Sequence, residues 1–332
     1  MKGAVVIVAL LAPAAWAEVS GVVFNATTGR PQAGATVTLY RAGAGGMSPV
    51  ETVKTGSDGG FKIDATPAGP SVLQAIHDGV PYSRMLEAGT PATGLRLAVY
   101  EATAKPETTA VAQHMILLEP IGGILHVSES VIFQNPGKRT YNDPARGSLR
   151  VYLPPEMEGE PRVMATGPQG VPLAREAVKT EEKNVYKVVF PLKPGETRFD
   201  LTYVVPEPDS GIFRGKILHR SGPVRLVVPP GVTLTGDGVT EIAREPTTQA
   251  VVYDVRGPEY SVRIEGSGSL RREQPAPADA AGGAGIRAIP ARIYDRAGLI
   301  VGLSLALLAL GFLLMYRRSG GTEGAARGGR RE

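Results

Sequence analysis

The chain contains no cysteine among its 332 residues. That excludes disulfide-stapled scaffolds, thiol catalysis, zinc-thiolate sites and cysteine-linked lipid anchors. Any exported domain must then be held together by burial alone, which suits units of about 100 residues or more. Histidine is nearly as scarce, with His77, His114, His126 and His219 the four in the chain. None forms an i, i+4 pair, and the H-E-x-x-H pattern of a zinc-peptidase helix is absent. The single tryptophan, Trp16, lies in the N-terminal apolar segment. Sugar stacking elsewhere would fall to residues such as Tyr82, Tyr141, Tyr152 and Tyr203, which in a sheet protein serve more simply as strand packing. Helical periodicity is scarce before residue 297, where Leu173 to Glu182 is the one weak helix candidate.

Long apolar runs occur only at the two ends. Lys2, the run Ala4 to Leu11 and the small residues Ala15 and Ala17 before Glu18 have the form of a signal peptide, residues 1–17. Ala297 to Tyr316 is a stretch of twenty uncharged residues followed by Arg317-Arg318. As a helix it covers ~30 Å, the thickness of a hydrocarbon core. The expected topology is a single-pass cell-membrane protein, with extracytoplasmic domains in the periplasm or at the cell surface and a cytoplasmic tail, 317–332.

The formal net charge of +4 belongs to the ends. Removing Lys2, the five arginines at 317, 318, 327, 330 and 331, and Glu323 and Glu332 from 36 basic and 32 acidic residues leaves 30 of each. The basicity is therefore a topology signal and gives no reason to expect a nucleic-acid partner. The membrane, through the C-terminal helix, is one expected partner. An exported protein or envelope polymer is the other.

Between the ends, short alternating runs are punctuated by 42 glycines and 28 prolines, which reads as all-β. In residues 18–100 the strands Val19–Phe24, Ala35–Tyr40, Phe61–Ile63 and Ser71–Ile76 are separated by turns at Asn25–Gly29, Ser57–Gly60 and Pro67–Gly69. Residues 105–268 carry longer strands, among them Gln113–Leu118, Ile124–Gln134, Arg198–Val205 and Val224–Val228. Residues 269–293 are rich in Pro, Ala and Gly and form a linker, whose flexible span is ~25 Å for about twenty residues. No internal repeat is evident.

The succession Gly21-Val-Val, Gly29-x-Pro31-x-x-Gly34-Ala-x-Val-x-Leu39, Asp58-Gly-x-Phe61-x-Ile63, Pro67-x-Gly69 and Leu73-x-Ala75 resembles the carboxypeptidase regulatory-like domain. The resemblance implies a seven-stranded, prealbumin-like β-sandwich, also described as a carbohydrate-binding-like fold, with a non-catalytic binding or spacer role. Carbohydrate as a ligand rests on this fold analogy alone. The expected fold is two β-sandwich domains in tandem, the first prealbumin-like, followed by the linker and one C-terminal transmembrane helix.

The remaining motifs offer few sites of chemistry. A hairpin centred near Pro120 would set His114 across from His126, on a face shared with Ile116 and Ile124 and opposite the row Leu125, Val127, Val131 and Phe133. Two imidazoles so placed could hold a metal with a third ligand, or simply pair on a sheet face. Gly302-Leu-Ser-Leu-Ala lies in the apolar span, and Gly266-Ser-Gly-Ser-Leu lacks the strand-to-helix setting of a nucleophile elbow. Glu156-x-Glu158-x-Glu160 reads as a solvated loop, and the sequon Asn25-Ala-Thr27 as a turn. No catalytic, cofactor-binding or metal-binding residue is assigned. The expected function is a non-catalytic, membrane-anchored envelope protein presenting its β modules as a scaffold or adhesion-like surface. The alternatives are an accessory subunit of a membrane complex, with Gly298-x-x-x-Gly302 as a helix contact, and a hydrolase or metal protein whose site is assembled across strands.

Overall fold

The computed structural model describes residues 18–270 apart from 44–45, 66–68, 88–91, 169 and 207–210. The expected signal peptide, the linker beyond residue 270, the transmembrane helix 297–316 and the tail 317–332 lie outside the described residues. Among the described residues every regular element is a strand, and no helix is long and apolar enough to cross a membrane.

Residues 18–100 form a β-sandwich. In one sheet Val19–Asn25 pairs antiparallel with Arg30–Pro31 and Gly60–Ile63 and parallel with Leu95–Val99. The other sheet runs Gly46–Lys54, Thr36–Gly43, Ser71–His77 and Val80–Leu86, all antiparallel. Alternation fixes which side chains face inward. Val37, Leu39, Leu73, Ala75 and Tyr82 from one sheet meet Val19, Val23, Ile63, Leu97 and Val99 from the other in a single core. Gly21 sits where two backbones approach closely, since a Cβ there would lie 2.1 Å from the Leu95 carbonyl oxygen. Only glycine permits that parallel pairing.

From residue 110 an eight-stranded sheet is ordered Pro172–Arg175, Glu158–Thr166, Gly195–Pro206, Ile124–Asn135, Ala110–Ile121, Val224–Val228, Val251–Val255 and Val239–Arg244. Two three-stranded sheets complete this unit. One holds Leu149–Tyr152, Val185–Val188 and Val178–Lys179, and the other Ile212–Lys216, Glu259–Glu265 and Thr233–Thr235. All three sheets feed one core, from Val111 to Val262, so residues on both sides of segment 206–211 share the same apolar interior. Leu173 to Glu182, the helix candidate, is instead two short strands at sheet edges, Pro172–Arg175 and Val178–Lys179. Edge pairing of short segments here overrides helical propensity.

The hairpin between Ala110–Ile121 and Ile124–Asn135 also departs from expectation. Gly122 and Gly123 both adopt positive φ, 59° and 79°, as a two-residue hairpin turn requires. The centre therefore falls between these glycines and not near Pro120. Val131 stands opposite His114, and Glu119 opposite His126. The shift is odd in register, so it carries His114 to the opposite face of the sheet, among the apolar row it was expected to oppose.

Candidate functional site

Two tight turns and one interunit strand pair bring polar side chains to a single cleft. In the first turn Asn25 Oδ1 accepts the Thr27 and Thr28 amides at 3.0 and 3.2 Å, and Gly29 closes it with φ 73°. This side-chain mimic of a backbone turn aims Thr28 and Arg30 outward. The second is the hairpin turn Asp78-Gly79, both residues at positive φ, which carries His77 to the same edge. The wall opposite comes from Ala102–Thr103, which pairs in parallel with Thr140–Tyr141, and from Arg139. The cleft measures about 510 Å³ and is lined mainly by polar groups.

The seam beside this cleft is tightly bonded. The Tyr82 hydroxyl lies 2.9 Å from the Tyr100 carbonyl oxygen and 2.8 Å from Thr140 Oγ1. Burial pushes its pKa up to about 12, so it remains a neutral donor. Lys193 Nζ sits 4.9 Å from the Tyr82 ring centroid, and burial lowers that lysine to about 8. The Thr140 amide donates to the Glu101 carbonyl at 2.9 Å, and Thr27 Oγ1 both donates to the Lys138 carbonyl and accepts from the Glu101 amide. Arg139 reaches Glu101 at 3.3 Å and Glu107 at 3.8 Å.

A second polar group is buried in the core of residues 110–265. His114 Nε2 is 2.9 Å from Glu129 Oε2, and the Tyr203 hydroxyl donates to Glu129 Oε1 at 2.7 Å. All three are at most 7% exposed. Burial, together with the Glu129 charge, pushes Tyr203 well above its ordinary value. His219 lies nearby, its Nε2 accepting the Arg150 amide at 2.9 Å and its ring meeting Phe133 edge-on. Burial first, then electrostatic interaction with His114, Arg150 and Arg146, lower its pKa to about 4. Each carboxylate oxygen of Glu129 has a partner, so the cluster is satisfied internally.

The sequence-derived candidates therefore scatter. His126 is only half-buried, away from His114. Tyr82, Tyr141 and Tyr203 are buried and offer no face to a sugar ring. The Asn25 side chain is spent on its turn and on Gln32. Glu158 and Glu160 are exposed at the start of a strand. Among the described residues no group of three or more metal-ligating side chains forms. Sequence reasoning missed Glu129, although it interrupts the buried row Leu125, Val127, Val131 and Phe133 in phase. It also missed the cleft, whose parts come from four separated segments.

Residues 18–100 match the carboxypeptidase regulatory-like domain family. No curated protein sequence matches the chain. Among solved structures, an M1 zinc metallopeptidase from Deinococcus radiodurans aligns at 17% identity over 47% of this chain and 42% of that chain, with a TM-score of 0.26. A two-domain M1 zinc metallopeptidase mutant bound to L-tryptophan aligns over the same shares with a TM-score of 0.27. The chain thus spans less than half the length of these peptidases.

Proposed function

We propose that the chain is a non-catalytic, membrane-anchored envelope protein. Two β-sandwiches in tandem form one extracytoplasmic head, tethered by residues 297–316 with the arginine-rich tail in the cytoplasm. The head presents its surface to another exported protein or to an envelope polymer. The observation that carries this reading is the seam between the two units. A parallel strand pair, the doubly bonded Tyr82 hydroxyl and Lys193 on its ring fasten them together, which suits a head that holds a fixed binding surface.

Two further features support it. The groups best equipped for acid-base chemistry, His114, Glu129 and Tyr203, saturate one another inside the core, which favours a structural role for them. The end of the head is also pinned. Glu119, 2% exposed, accepts from Ser269 Oγ at 2.8 Å and from the Leu270 amide at 2.7 Å, and the Gly268 amide donates to the Pro120 carbonyl. A tether that leaves from a fixed point suits a presenting role. The family match over residues 18–100 is in keeping with a binding or spacer module. With Tyr82, Tyr141 and Tyr203 buried and Tyr152 half-buried, a polymer partner would be held chiefly by polar side chains.

Cross-linking in intact cells followed by identification of the adducts tests the reading. Adducts with an exported protein or an envelope polymer are expected. Adducts confined to cytoplasmic proteins, or covalent capture of a hydrolase-directed probe by the purified protein, would overturn it.

A further inference from the structure

The cleft beside the seam holds more donors than its own acceptors use. Arg30 is exposed at its rim, and its guanidinium makes no hydrogen bond or ion pair among the described residues. His77 is also in the lining, but its Nε2 is shielded from solvent, with Asp78 Oδ2 3.7 Å away. Thr28 and Thr103 add hydroxyls to the same lining.

The two carboxylates, by contrast, each already take one donor. Asp78 Oδ2 receives the Ala102 amide at 3.2 Å, and Glu101 Oε2 receives Arg139 at 3.3 Å. The lining guanidiniums Arg30 and Arg139 are matched in number by the carboxylates Asp78 and Glu101. A single negative charge on the ligand would face the open Arg30 fork, whereas a doubly charged phosphate would also sit beside two carboxylates. Only Pro31 and Ala102 contribute apolar side chains, so the body of the ligand must be polar. The volume, about 510 Å³, lies within the ~300–1,000 Å³ typical of small-molecule sites.

We propose that this cleft binds a carboxylate monoanion carried on a small polar body, with Arg30 as its two-pronged partner and the threonine hydroxyls as flanking donors. A sugar acid and a peptide C-terminus share that chemistry. The inference deepens the binding role proposed above and rests on it. Because Arg139 comes from beyond the seam and the other donors from before it, a bound ligand also braces the junction.

Calorimetric titration of the full-length protein in detergent tests this, using glucuronate and acetyl-Ala-Ala as probes. Glucose, acetyl-Ala-Ala amide and inorganic phosphate serve as their counterparts. At least one carboxylate is expected to bind, its uncharged counterpart to bind at least about tenfold more weakly, and Arg30→Gln to weaken the carboxylate by a similar factor. Arg30 is exposed, so this variant keeps the fold. The arm that binds identifies the source of the carboxylate. Equal binding of the uncharged analogue, unchanged affinity in Arg30→Gln, tighter binding of phosphate, or no binding of either carboxylate up to about 10 mM would overturn the proposal. None of these outcomes alters the topology of the chain, so a failure here is distinguishable from a failure of the tethered-head reading.

Discussion

Acidification should destabilise the head through His219 in particular. Its imidazole titrates near 6.5 in an unfolded chain and at about 4 in the folded one, chiefly because burial disfavours the charged ring. Between those values the unfolded chain binds the extra proton and the folded protein does not. The stabilisation is therefore complete above about pH 6.5, falls as pH drops, and levels off below about pH 4. At ~1.4 kcal/mol per pKa unit, the loss between about pH 7 and about pH 5 is roughly 2 kcal/mol. Geometry gives the same sign, because Nε2 accepts the Arg150 amide at 2.9 Å and a proton on that nitrogen would abolish the bond. The assay is urea unfolding of the purified protein and of His219→Gln at both pH values. Glutamine keeps an acceptor for the Arg150 amide and does not titrate. Subtracting the two pH dependences removes every other titrating group, and the stability advantage of wild type over variant should shrink by roughly 2 kcal/mol at the lower pH. Parallel pH dependences would refute the argument, since they would mean that the buried imidazole carries no linkage.

Three further outcomes follow from the packing. Glu129→Ala strips His114 and the Tyr203 hydroxyl of their shared acceptor and should cost about 3–5 kcal/mol in urea unfolding, with Glu129→Gln recovering part of the loss. Tyr82→Phe removes both hydroxyl bonds at the seam and should cost about 1–2 kcal/mol, with faster limited proteolysis between residues 100 and 110 as the local readout. Gly21→Ala would drive a methyl into the Leu95 carbonyl and should destabilise residues 18–100 by about 3 kcal/mol or more, seen as a lowered thermal midpoint.

Much of the fold is written in local alternation. Leu73, Ala75, Leu125 and Val127 occupy buried positions in phase with their strands, and the spaced glycines and prolines of residues 18–100 sufficed for a family resemblance. Register was harder. The Gly122-Gly123 pair states the turn, yet Pro120 drew the centre away from it, and that shift moved His114 from a solvated face into the core. Glu158–Thr166 was concealed because its acidic, proline-containing start has the composition of a loop, while its partner strand Gly195–Pro206 imposes pairing from a distance. The cleft could not be read at all. Arg30, His77, Glu101 and Arg139 have no spacing in common, and only the two turns and the seam bring them together.

The absence of native cysteine makes the most direct test of the tethered head straightforward. Single substitutions Ser48→Cys, on an exposed strand of the head, and Ser319→Cys, in the basic tail, would be expressed in a bacterial host and treated as spheroplasts with a membrane-impermeant maleimide. The account requires Ser48→Cys to be labelled in intact spheroplasts and Ser319→Cys to be labelled only after the membrane is permeabilised. Labelling of both before permeabilisation, or of neither, would contradict it.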